Sequence, residues 1–147
     1  MQNRRVRMKY NLFVPVCLMI LVGVLAACDK AEGDLRKDPK RVALGQQLFK
    51  IHCVKCHGNQ GQGDPNWRKK DSQGHWPPPP LNGSGHSWHH SVTWLRAMIR
   101  DGSPVGQGNM PAWKNQLKGE EITALVAYIQ SLWPEKIYQH WLKIEKR

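Results

Sequence analysis

Acidic residues are scarce in this chain of 147 residues: 11 Asp and Glu stand against 22 Lys and Arg, a formal net charge of +11. The balance points to acidic proteins, anionic membrane or nucleic acid as partners. Cysteine is scarce as well. Four cysteines make at most two pairs, and a disulfide-stapled fold needs several. No apolar run reaches the roughly 20 residues of a spanning helix; Leu12 to Ala27 stops at 16 and contains Pro15 and Gly23. A polytopic membrane protein is therefore excluded. With 40% hydrophobic and 22% charged residues the composition is that of one ordinary folded domain rather than a disordered chain. In contrast to these shortages stand seven Trp, ten Pro and thirteen Gly. They suggest a loop-rich domain whose aromatic surface covers something flat and apolar.

The first 28 residues differ from the rest. Arg4, Arg5, Arg7 and Lys9 precede the apolar run, and small residues at its end precede Cys28, the layout of a signal peptide. Leu25-Ala26-Ala27-Cys28 resembles the bacterial lipobox. That resemblance implies cleavage before Cys28, a diacylglycerol on its sulfur, and a mature protein beginning there. An uncleaved helical anchor is the alternative, and both place the domain outside the cytoplasm on a membrane tether. Asp29 resembles the inner-membrane retention signal of enteric lipoproteins. The expected organisation is a leader over 1–27, a tether over 28–38 and a folded domain over 39–147. Without its leader the chain keeps 18 basic residues against 11 acidic ones, net +7, and only Cys53 and Cys56 remain free for chemistry.

Those two lie in Cys53-Val54-Lys55-Cys56-His57. Cys-x-x-Cys-His is the attachment pattern of c-type haem: thiols at this spacing reach both vinyl groups of one haem edge while the adjacent imidazole lies under the iron. A thioredoxin-like pair expects a βαβ setting, and a zinc site expects a second Cys-x-x-Cys or a His-x-His pair, which the chain lacks. Asp38-Pro39 reads as an N-cap with proline at the first helical position, and the helix it opens delivers the cysteines.

The motif and its neighbours closely resemble the small monohaem class I cytochromes c. Gly45, Phe49 and Cys53 recur at intervals of four, and Cys56-His57-Gly58 leads into the glycines up to Gly63. Pro79-Pro80-Leu81 resembles the proline-leucine corner beside the proximal histidine, Ile99 to Gly102 the end of the middle helix, Met110-Pro111-Ala112-Trp113 the distal methionine loop, and Tyr128-Ile129 the aromatic face of the last helix. The resemblance runs from Pro39 to about Trp133. It implies an all-α small cytochrome c fold, three to five helices around one covalent haem c, with Cys53, Cys56, His57, Met110, Pro79 and Leu81 lining the haem and His57 and Met110 on its iron.

The sixth ligand also follows from the residues themselves. Outside the leader the chain holds two methionines. Met98 lies in the stripe Val92, Leu95, Met98, Ile99 between a Ser91 cap and a Gly102 stop, which makes it core filling. Met110 sits among Gly106, Gly108, Asn109 and Pro111, a loop in which a methionine has no such role. A thioether opposite an imidazole favours ferrous iron and raises the potential. His52, His75, His86, His89, His90 and His140 are the competing donors.

Ile122, Leu125, Val126, Ile129 and Trp133 mark a further helix with Glu120 and Glu121 near its positive end. In the family it crosses the first helix, and Gly45 opposite Leu125 and Tyr128 would let the backbones approach. The Trp-, His- and Pro-rich stretch 64–91 reads as a loop covering one side of the haem, with metal binding by its histidines as the alternative. Segment 134–147 is basic and amphipathic, either lying on a membrane surface or closing the domain as another helix. The basic rim at Lys50 and Lys55 suits a redox partner with an acidic docking face. Compartment excludes nucleic acid, and two filled axial positions leave no small-molecule substrate. The expected protein is therefore no enzyme but a single-electron carrier, lipid-anchored to the periplasmic face of the inner membrane. The alternatives are a haem enzyme or gas-binding protein with a labile sixth ligand, and a metal-handling or assembly factor using the histidines.

Overall fold

The computed structural model describes residues 34–145. The expected signal peptide and Cys28 fall outside the described residues. Among the described residues there are five α-helices and no strand: α1 (Pro39–His52), α2 (Val54–His57), α3 (Val92–Asp101), α4 (Gly119–Ser131) and α5 (Glu135–Glu145), with 3-10 turns at Leu35–Lys37 and Ser87–His89. None of these helices is long and apolar enough to cross a membrane.

Local chemistry sets the helix ends. The Asp38 carboxylate accepts from the backbone N–H groups of Lys40 and Arg41 at 3.1 Å, satisfying donors that Pro39 and the first turn leave free. Ser91 caps α3 through Trp94 N–H, and the helix stops at Gly102, whose φ of 79° favours glycine. Lys118 offers α4 no side-chain acceptor; instead the Glu121 carboxylate accepts from the Lys118 backbone N–H at 2.7 Å.

The most extensive contact between helices is that of α1 with α4, and most of the core lies along α4. All positions from Ile122 to Gln130 are buried, because α4 is covered by α1, α3 and the 3-10 turn at Leu35. Gly45 permits the crossing: a Cβ there would lie 1.9 Å from the Ala124 carbonyl oxygen and 2.8 Å from Tyr128 Cβ. The residue opposite is thus Ala124 rather than the expected Leu125, one helical position away, with Tyr128 as expected. Phe49 and Tyr128, 5.2 Å between ring centroids, fill the next layer.

Helix α5 closes the domain by burying Tyr138 and Trp141, so the aromatic stripe of segment 134–147 faces the core. The compact unit also begins earlier than expected, at Asp34. Leu35 is buried, and the Tyr138 hydroxyl donates to the Asp34 carboxylate.

Candidate haem site

Helix α1 ends at His52, and Cys53 takes a helical conformation that starts the next turn, so Cys53 and His57 lie four residues apart on one short helical segment. Cys53 is half-buried and Cys56 exposed, and both are free thiols. Burial, and then Cys56 beside it, push the Cys53 thiol up to about 11. An apolar setting of this kind suits a neutral thioether better than a thiolate.

His57 is 8% exposed, and its Nδ1 stands 3.0 Å from the Pro79 carbonyl oxygen. Nδ1–H donates to that carbonyl in the neutral ring, which fixes the tautomer and leaves Nε2 as a lone-pair donor. Burial holds the imidazole below the ordinary histidine range, with the Pro79 hydrogen bond acting in the opposite direction. The ring is therefore neutral at physiological pH, the form that binds a metal.

The corner that supplies this carbonyl is held by backbone contacts. Asp64 N–H donates to Pro78 O at 2.9 Å, Leu81 N–H to Gly61 O at 2.7 Å, and Gly63 N–H to His57 O at 2.8 Å. At Gly63 (φ 65°) any side chain would strike the Pro78 to Pro80 backbone, with Pro79 C 2.6 Å from its Cβ. From the core side, Trp133 Nε1–H donates to Leu81 O at 2.9 Å. Pro79 thus acts through its carbonyl, and Leu81 through backbone bonds and its packing against the core.

Met110 is half-buried against the core. Its loop is strapped to the end of α3: Ser103 N–H donates to Met110 O at 3.0 Å, Met110 N–H donates to Ser103 Oγ at 3.3 Å, and a Cβ on Gly102 would meet Met110 O at 2.6 Å. Trp113 N–H closes the loop onto the Ile99 and Arg100 carbonyls. Met98, expected as core filling, is half-buried on α3, beside the buried Leu95 and Ile99.

Three of the competing histidines pack on tryptophan rings. His52 packs its ring edge on Trp113, with centroids 4.8 Å apart. His86 stacks on Trp67 at 5.3 Å and His90 on Trp94 at 3.7 Å. No group of three metal-ligating side chains occurs among the described residues. Segment 64–91 is bound to the methionine loop through Trp76 N–H and Gln107 O, 3.1 Å apart.

A glycine-lined corner, a neutral imidazole with one free nitrogen and two free thiols three positions apart fit a covalent haem. The family model described as cytochrome C oxidase, cbb3-type, subunit III, matches residues 40–129, more than half of the chain. The chain belongs to this family. It is a haem c electron-transfer protein rather than an enzyme, and its cofactor is covalently bound haem c with iron. A curated relative, the cbb3-type cytochrome c oxidase subunit FixP of Bradyrhizobium diazoefficiens, is 29% identical over 110 residues. The match covers 67% of this chain and 34% of that protein, so the chain spans about a third of its relative's length.

Sequence reasoning missed three supports of this site: Ser103 as the acceptor for Met110 N–H, Trp133 as the donor to Leu81, and the contact between Gly63 and the proline run. Only Gly63 carried a local signal, as the last glycine of a run directly after the motif.

Proposed function

We propose that the protein is a tethered single-electron carrier in which Cys53 and Cys56 hold the haem through thioethers and His57 Nε2 and Met110 Sδ take the two axial positions. The bound haem supplies one-electron chemistry, its iron alternating between ferric and ferrous states. The chain's own part is to keep those states alike: the His57 ring is fixed by the Pro79 carbonyl and the Met110 loop by Ser103, so a change of charge requires little rearrangement. The observation that carries the reading is the buried His57, its Nδ1 engaged and its Nε2 left as a donor, directly after two free thiols.

Attachment through Cys28 at the periplasmic face of the inner membrane follows from the lipobox and the basic leader. The partner is a redox protein with an acidic face toward the exposed Lys50 and Lys55. The name of the FixP relative makes an oxidase subunit a natural member of that class.

The two methionines provide the test. Met110→Ala should leave ferric iron five-coordinate or water-bound, lower the potential and let carbon monoxide bind the ferrous form readily. Met98→Leu should preserve the spectrum and cost less than about 1.5 kcal/mol, as near volume-conserving exchanges do. Ready carbon monoxide binding by the unmutated ferrous protein would overturn the reading in favour of an open sixth position.

A further inference from the structure

Helix α5 turns Tyr138 and Trp141 inward and leaves Lys136, Gln139, His140 and Lys143 exposed. These four follow the i, i+3, i+4, i+7 spacing of one helix face. With Trp88 and Ile137 they line a shallow, open cleft of about 430 Å³. The cleft has an apolar floor, a basic rim and no acidic lining residue. Both acids at the ends of the helix are partnered: Glu135 pairs with Arg36 at 2.6 Å and accepts from the Gln139 amide at 2.7 Å, and Glu145 accepts from the Val92 N–H at 3.3 Å. The Trp88 indole is half-buried and donates to Gly85 O, so an amphipathic ring stands at the boundary between core and solvent.

The same helix receives the N-terminal end of the folded unit. Asp34 accepts from the Tyr138 hydroxyl, and Arg36 lies over the Tyr138 ring at 3.6 Å while pairing with Glu135. Cys28 is six residues before Asp34 in sequence. Six residues reach at most about 20 Å when extended.

We propose that this α5 face is a docking surface for anionic phospholipid headgroups, with Lys136 and Lys143 meeting phosphates and Trp88 and Ile137 resting at the headgroup level. The proposal rests on the tether reading: a lipid on Cys28 brings bilayer within about 20 Å of Asp34, whose carboxylate is bonded to α5. Each lysine close to an anionic surface adds attraction that fades within a Debye length, so a short tether makes two lysines sufficient to orient the domain.

The test is lysine footprinting of the full-length holoprotein in vesicles of phosphatidylcholine alone and of phosphatidylcholine with phosphatidylglycerol, with acetylation rates read residue by residue by mass spectrometry. Lys136 and Lys143 should react about threefold more slowly, or less, on the anionic vesicles, with Lys50 and Lys55 unchanged and the difference erased by high salt. Equal rates on both vesicle types, or protection of Lys50 and Lys55 instead, would overturn the proposal. Protection found only in native membranes and not in protein-free vesicles would do the same, assigning the face to a protein partner. Flotation with neutral vesicles and the intact mass test the tether separately. If the protein fails to float there, the anchor reading falls and the proposal with it; if it floats and the footprints are equal, the docking surface alone is overturned.

Discussion

Gly45 and Ala124 bring α1 and α4 into backbone contact, with only 1.9 Å between the Ala124 carbonyl oxygen and the place a Cβ on Gly45 would occupy. Alanine ordinarily stabilises a helix interior relative to glycine by roughly 0.5–1 kcal/mol. Here the clash is with main chain, which cannot swing aside, so overpacking wins. Gly45→Ala should lower unfolding stability by about 1–3 kcal/mol. Gly119→Ala, with open space around its Cβ, is the control and should be neutral or stabilising. Denaturant unfolding of the two variants checks the pair.

Covalent attachment predicts a chemical result. Cys53→Ala with Cys56→Ala should release the haem into acidified organic solvent, whereas the unmutated protein retains it because thioether bonds survive unfolding. Each single variant should keep the haem through one remaining bond. Retention in the double variant would refute the assignment of the two thiols.

How much of this site was legible depended on distance along the chain. The Asp38 cap, the Ser91 cap, the Gly102 stop and the contiguous Cys-x-x-Cys-His run are decided within a few residues, and pattern reading finds them. The partner of His57 is 22 positions away at Pro79, where the sequence shows a proline corner but not that its carbonyl is the acceptor. The bond between Tyr138 and Asp34 spans 104 positions, and nothing local marks either residue for it. That pairing, with the burial of Leu35, holds residues 34–38, the end of the stretch expected as tether, in the folded unit.

His86 and His90 predict a pH dependence of stability. Burial, followed by the neighbouring histidines, and Arg68 in the case of His86, hold both below the ordinary histidine value of 6.5. Above that value both are neutral in the folded and unfolded chain and contribute no slope. As pH falls below it the unfolded chain takes up protons first, so stability falls through the lower, folded-state range. Unfolding midpoints at about pH 7.5 and 5.5 should separate less in the His86→Asn, His90→Asn double variant than in the unmutated protein. Equal separations would mean that the two rings do not drive the effect.

Tyr138→Phe isolates one hydrogen bond. The ring stays in place beneath Arg36, but Asp34 loses its hydroxyl donor, at a cost of about 1–2 kcal/mol. The haem spectrum should not change, because the bond ties Asp34 to α5 rather than to the methionine loop. A shifted spectrum would show that α5 supports the iron's surroundings as well as the fold.

The contacts of Asp34 and Arg36 with α5 have a consequence for construction. Asp34 and Arg36 are bonded to the first part of α5, through Tyr138 and Glu135, whereas Glu145 at the other end of that helix accepts from the Val92 N–H at the start of α3. The two ends of α5 thus fasten different parts of the fold, the entering chain and the start of α3, and the helix works as a buckle whose removal would loosen both at once.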